Sequence, residues 1–219
     1  KPGETAFLSI DVKNIGQVEA TGSITSFLDF SDQYINIISN EISFSGPLLP
    51  GQSIIIENAF EIEVAENIPD VYELPFRFEI IYEQDTNESF SIVHAYAPSL
   101  SCESFVVDDF NTNNNGRLDP GETATLIFEI KNEGHSKAQN VICQLESSNE
   151  FITINNSLFK IGLLESDSIE NTIFNVTVSN LIPSVSNVDF IININSGEYS
   201  SKKLFSEKVI RTNECFESG

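Results

Sequence analysis

Pro2-Gly3-Glu4-Thr5-Ala6 returns in the same chain as Pro120-Gly121-Glu122-Thr123-Ala124, and the likeness continues well beyond it. Leu8 aligns with Leu126, Val12 with Ile130, Lys13-Asn14 with Lys131-Asn132, Gly16 with Gly134 and Ala20 with Ala138. Farther along, where loops of unequal length shift the alignment, Tyr34-Ile35-Asn36-Ile37 matches Phe151-Ile152-Thr153-Ile154, and Leu48-Leu49-Pro50-Gly51 matches Leu163-Leu164-Glu165-Ser166. Phe60-Glu61-Ile62-Glu63-Val64 then matches Phe174-Asn175-Val176-Thr177-Val178, and Ile68-Pro69 matches Ile182-Pro183. A repeat of this length in 219 residues restricts the fold to two tandem copies of one domain, because a unit of about a hundred residues can enclose its own core. The proline of Ala95-Tyr96-Ala97-Pro98-Ser99 interrupts strand pairing and marks the join. The expected organisation is a first module over 1–97, a second over 98–210, and a linker into a following domain over 211–219.

Each copy alternates apolar and polar residues with period two, as in Leu8, Ile10, Val12, in Phe60, Ile62, Val64 and in Phe76, Phe78, Ile80. Val141, Cys143, Leu145 and Phe174, Val176, Val178 repeat the pattern in the second copy. Period two turns one face to a core and the other to water. Turn signals at Lys13-Asn14-Ile15-Gly16, Pro50-Gly51 and Asn132-Glu133-Gly134 separate the runs, and no helical stretch of ten residues stands out. About seven short strands per hundred residues predict an all-β protein of two tandem immunoglobulin-like antiparallel β-sandwiches.

The second copy is preceded by Asp108-Asp109-Phe110-Asn111-Thr112-Asn113-Asn114-Asn115-Gly116-Arg117-Leu118-Asp119-Pro120-Gly121-Glu122. In the twelve-position register of an EF-hand loop, Asn111, Asn113 and Asn115 occupy positions 1, 3 and 5, and Gly116 takes the turn. Arg117 offers its carbonyl at position 7, Asp119 stands at position 9, and Glu122 closes the loop at position 12. All of these are hard oxygen donors, which suit calcium. Asn at position 1 lacks the usual charge, and Asp109 or Asp108 just upstream supplies one in a shifted register. The competing reading is a metal-free turn, since Asn and Gly dominate turns in any case. Phe105-Val106-Val107 and Ala124 to Ile130 flank the loop with β-formers, so it joins strands rather than helices. In the first copy Glu4 matches Glu122 but Lys1 stands where Asp119 does, so no intact site is expected there.

With 33 acidic against 11 basic residues the net charge is −22, which repels phosphate backbones and anionic bilayers and excludes nucleic acid as a partner. No apolar run has the length of a membrane span. The first residue is not Met, and the chain reads as a piece of a longer polypeptide, so the lack of a leader says nothing about export. Cys102, Cys143 and Cys215 are too few and too scattered for a disulfide framework or a zinc site, and Cys143 among Val141, Ile142 and Leu145 reads as a buried thiol. His94 and His135 lack the surroundings of a catalytic base. There is no Gly-x-Ser-x-Gly elbow, no His-Glu-x-x-His and no phosphate-cradling loop, so catalysis is not expected.

The motif Asn-x-Asn-Gly-Arg-Leu-Asp-Pro-Gly-Glu-Thr, followed by an apolar strand and Lys-Asn-x-Gly, resembles tandem immunoglobulin-like accessory modules of large secreted bacterial proteins, notably gingipain-like cysteine peptidases. His94-Ala95-Tyr96-Ala97-Pro98 is similar to the join between such modules, and Phe216-Glu217-Ser218-Gly219 is similar to the opening of an adhesin-type domain. The resemblance implies a secreted or cell-surface, non-catalytic spacer that works beside the neighbouring domains of its own polypeptide. It also implies calcium ligation by Asn111, Asn113, Asn115, Asp119 and Glu122. An adhesion module binding a host protein or glycan is the runner-up. Asp167-Ser168-Ile169 resembles a short acceptor motif for protein O-glycosylation in such bacteria.

Overall fold

The computed structural model describes residues 1–210. The linker expected at 211–219, Cys215 and the resemblance at Phe216–Gly219 lie outside the described residues. The chain divides into two compact units, Lys1–Ala97 and Pro98 onward.

Unit one contains seven strands: β1 (Thr5–Lys13), β2 (Ser23–Asp29), β3 (Ile35–Ser39), β4 (Glu41–Ser45), β5 (Ser53–Val64), β6 (Tyr72–Tyr82) and β7 (Asp85–Ala95). They form antiparallel sheets in the orders β1-β5-β3 and β4-β2-β6-β7. Unit two contains β8 (Leu100–Asp108), β9 (Thr123–Asn132), β10 (Ala138–Glu146), β11 (Ile152–Ile154), β12 (Leu158–Leu164), β13 (Ile169–Val178), β14 (Val185–Ser196) and β15 (Tyr199–Ile210). Its sheets run β11-β13-β9-β8 and β12-β10-β14-β15, again antiparallel. Each unit is a β-sandwich, and the described residues contain no helix. The repeat maps strand onto strand, β1 on β9 through β7 on β15, and β8 alone has no counterpart.

The alternation seen in the sequence becomes burial. Phe60, Ile62 and Val64 on β5 and Phe174, Val176 and Val178 on β13 point inward, as do Val141, Cys143 and Leu145 on β10. The aromatic centre of unit two is Phe128, with ring centroids 5.1 Å from Phe105, 5.8 Å from Phe174 and 5.6 Å from Phe205. A buried Phe removes roughly 2–3 kcal/mol worth of apolar surface from water, so this cluster holds the two sheets of the unit together. β8 begins at Leu100, earlier than the apolar run Phe105 to Val107 indicates, because a bulge between Cys102 and Phe105 breaks the alternation without ending the pairing with β9.

Cys102 and Cys143 are both free and buried. Burial pushes the thiols up, to about 11 at Cys102 and about 12 at Cys143, so both remain protonated and poorly nucleophilic at neutral pH.

Candidate functional site

The loop from Asp108 to Glu122 links β8 to β9, and its first buried group is Asp109, only 3% exposed. Its Oδ2 accepts the Asn115 N–H at 2.7 Å and its Oδ1 accepts the Gly116 N–H at 3.0 Å. Two backbone donors thus converge on one carboxylate and fold the Asn-rich segment back over it. Gly116 sits at φ +72° and Asn114 at φ +55°, left-handed angles that Gly and Asn tolerate best. The Asn113 and Asn115 side chains form successive turns, Asn113 Oδ1 accepting the Asn115 N–H at 3.1 Å and Asn115 Oδ1 accepting the Arg117 N–H at 2.9 Å. Leu118 is fully buried and anchors the loop in the core.

Glu122, 6% exposed, closes the other end. Its Oε2 accepts the Asp119 N–H at 2.9 Å, and its Oε1 meets the Thr112 hydroxyl, which also lies 2.8 Å from the Asp109 carbonyl oxygen. Thr112 therefore bridges the two buried carboxylate residues. Between them, Asp119 Oδ2 accepts the side-chain amides of Asn113 at 2.7 Å and Asn115 at 2.6 Å. Asn111 and Arg117 are exposed, and Asn111 stands apart from this hydrogen-bonded cluster. The structure thus brings together Asp109, Asn113, Asn115, Asp119 and Glu122 of the residues expected from sequence. The carboxylate bonded to the turn glycine belongs to Asp109, so the loop is entered from Asp109 rather than from Asn111.

Two carboxylates less than a tenth exposed, in a protein of net charge −22, are unusual because desolvating a carboxylate without a cation is costly. Neither Asp109 nor Glu122 pairs with a Lys or Arg among the described residues, and their partners are N–H and O–H groups. The loop carries oxygens of the class a hard divalent cation takes, on the carboxylates of Asp109, Asp119 and Glu122 and the side-chain amides of Asn113 and Asn115. Among the described residues no group of three or more His, Cys, Asp or Glu is gathered for a metal, so any ion here depends on the Asn and carbonyl oxygens as well. The Asn113 and Asn115 amide N–H groups now occupy the Asp119 oxygen that a cation would use. An ion at this oxygen would have to displace both.

Sequence reasoning missed Thr112, whose only signal is its place three residues after Asp109, and it underrated the Asn of the Lys-Asn-x-Gly repeat. Asn132 is fully buried. Its Oδ1 accepts the N–H groups of Ser99 and Gly134, each at 3.1 Å, while its Nδ2 reaches the carbonyls of Ser136 at 2.9 Å and of Leu164 and Glu165 at 3.2 Å. Asn14 does the same for unit one, with Nδ2 on the Val18 and Leu48 carbonyls at 2.8 Å and Oδ1 on the Gly16 N–H at 2.9 Å. The Pro-Gly-Glu turns also match, with the Gly3 N–H on the Val64 carbonyl and the Gly121 N–H on the Val178 carbonyl. Gly121 sits at φ +83°, a left-handed angle that favours Gly, and a Cβ there would also require the Asn180 side chain to move. Glu4 is bonded to the Lys1 amino group.

The remaining sequence candidates are dispersed. His94 Nε2 stands 3.6 Å from Glu73 Oε1 on an exposed face, and His135 lies in the turn after β9. Asp167-Ser168-Ile169 spans the turn before β13, where the Ser168 hydroxyl donates to the Glu165 carbonyl at 2.6 Å.

No family model and no curated protein matches this chain. Among solved structures, a protein of unknown function from Porphyromonas gingivalis W83 aligns over 95% of this chain and 92% of its own at 12% identity, with a TM-score of 0.30. Red sea bream transglutaminase aligns over 96% of this chain at 11% identity and a TM-score of 0.38, and the match spans 30% of the transglutaminase. Similarity at this level assigns neither a family nor an activity.

Proposed function

We propose that this chain is a pair of non-catalytic immunoglobulin-like spacer modules of a secreted or cell-surface bacterial protein, with a calcium ion stiffening the start of the second module. The reading is supported above all by the two buried carboxylates Asp109 and Glu122, which have only neutral hydrogen-bond donors around them. A divalent cation would neutralise their charge and lock the segment between β8 and β9. The same resemblance that suggested calcium places such modules beside a catalytic domain such as a gingipain-like peptidase, where they set distance and orientation.

A spacer with one ion-locked module should show it under load. In single-molecule pulling of this chain, one of the two unfolding events is expected to shift to higher force in calcium relative to chelator, while the other stays in place. Two events indifferent to calcium would remove the mechanical role assigned to the loop.

One observation favours adhesion as the second reading. Phe90 is 70% exposed and Ile92 59% exposed on neighbouring outward positions of β7, an apolar patch of the kind that grips a protein or glycan ligand.

A further inference from the structure

The two units differ at one place in their sheets. In unit two, β8 pairs with the outer edge of β9 and also touches β14 and β15, which puts Phe105 between the sheets. Its ring lies 5.1 Å from Phe128, 5.4 Å from Phe205 and 6.3 Å from Phe190. In unit one β1 corresponds to β9, and among the described residues no strand pairs with its outer edge. The positions that enclose Phe105 still have their counterparts. Phe128 corresponds to Ile10 and Phe190 to Phe76; Phe205 pairs with Phe190 just as Ser91 pairs with Phe76. Ile10, Phe76 and Ser91 line a groove of about 330 Å³ together with Leu8, Phe78 and Val93.

Two further observations mark this groove as a place for a strand. The first is burial: Asp85 through His94 of β7 are all exposed, whereas β15 alternates as a covered strand does. The second is an orphan in the floor. Ser26 is fully buried, lines the groove, and its hydroxyl has no hydrogen-bond partner. Ser26 pairs with Ile80 as Cys143 pairs with Ile194, so it stands where unit two has Cys143, which shares a buried core with Cys102 of β8. A buried hydroxyl without a partner costs about 1–3 kcal/mol, and a hydroxyl delivered at the Cys102 position would satisfy it. An edge strand also presents a row of backbone N–H and C=O groups ready to pair.

We propose that unit one takes an added β-strand, antiparallel to β1, from a segment of its own polypeptide outside these 219 residues, the counterpart of β8. The strand places an aromatic side chain in the groove between Ile10, Phe76 and Ser91 and a Ser or Thr hydroxyl on Ser26. Its outward side chains are neutral or basic, because the basic residues of unit one are only Lys1, Lys13 and Arg77 in a strongly acidic surface. This proposal stands independently of calcium.

The test uses the whole chain and a labelled peptide with the Leu100–Asp108 sequence carrying the substitutions C102S and E103K. Peptide binding should slow hydrogen exchange at the β1 amides, and a peptide that also carries F105A should bind at least about tenfold more weakly, as expected for loss of an aromatic anchor. No β1 protection at millimolar peptide, or equal binding of the F105A peptide, overturns the proposal. So does protection of β1 in the chain alone together with dimerisation in sedimentation, which would assign the edge to a second copy.

Discussion

Asn132→Ala should destabilise unit two by about 3 kcal/mol and lower its melting temperature by more than about 10 °C, with the transition of unit one unchanged. The amide of Asn132 is fully buried and is the hub of the turn after β9. Removing it strands the N–H groups of Ser99 and Gly134 and the carbonyls of Ser136, Leu164 and Glu165. Each buried group left without a partner costs about 1–3 kcal/mol unless water enters. Asn132→Asp should be no milder, because it keeps the acceptor but sets a charge against three carbonyl oxygens. Asn14→Ala should cost about half as much, since Asn14 is half-buried and water can replace its amide. Calorimetry on the three variants decides this. An Asn132→Ala protein within about 1 kcal/mol of the parent would show that water substitutes for the amide.

Asp109→Ala should have a small effect in chelator and a large one in calcium. Without the ion the variant loses the bonds to the Asn115 and Gly116 N–H groups, and both of those residues are exposed so that water can take the place of the carboxylate, for a net change of about 1 kcal/mol. With calcium at a hundredfold excess over Kd, the variant also forfeits a ligand increment of about 2.7 kcal/mol, for a difference near 4 kcal/mol. Glu122→Gln should abolish the calcium increment in the same way. An Asp109→Ala protein equally destabilised in chelator and in calcium would reduce the loop to a hydrogen-bonded turn.

Much of the fold was legible because period-two alternation is a direct consequence of the pleat. Phe60, Ile62 and Val64, and Phe174, Val176 and Val178, sit on inward faces as their spacing requires. The internal repeat then supplied the second copy. The start of β8 was not legible, because Ser101, Glu103 and Ser104 look like loop and only the pairing across a bulge shows that they belong to a strand. In the loop the residue types were readable and two registers were open, one starting at Asn111 and one shifted to Asp109 or Asp108. The backbone wraps around Asp109, a choice set by where the chain leaves β8 and not visible in a linear template. Asn132 reads in sequence as one more turn residue. Its burial arises from Ser99 and Glu165, which lie far from it along the chain and close to it in the fold.

The most direct measurement is differential scanning calorimetry of the unmodified chain in excess calcium and in chelator. A calcium-locked second module predicts two transitions, one rising by several degrees in calcium and the other fixed. Two transitions that coincide in both buffers would contradict the account, leaving Asp109 and Glu122 as a turn that satisfies itself through Thr112 and the backbone.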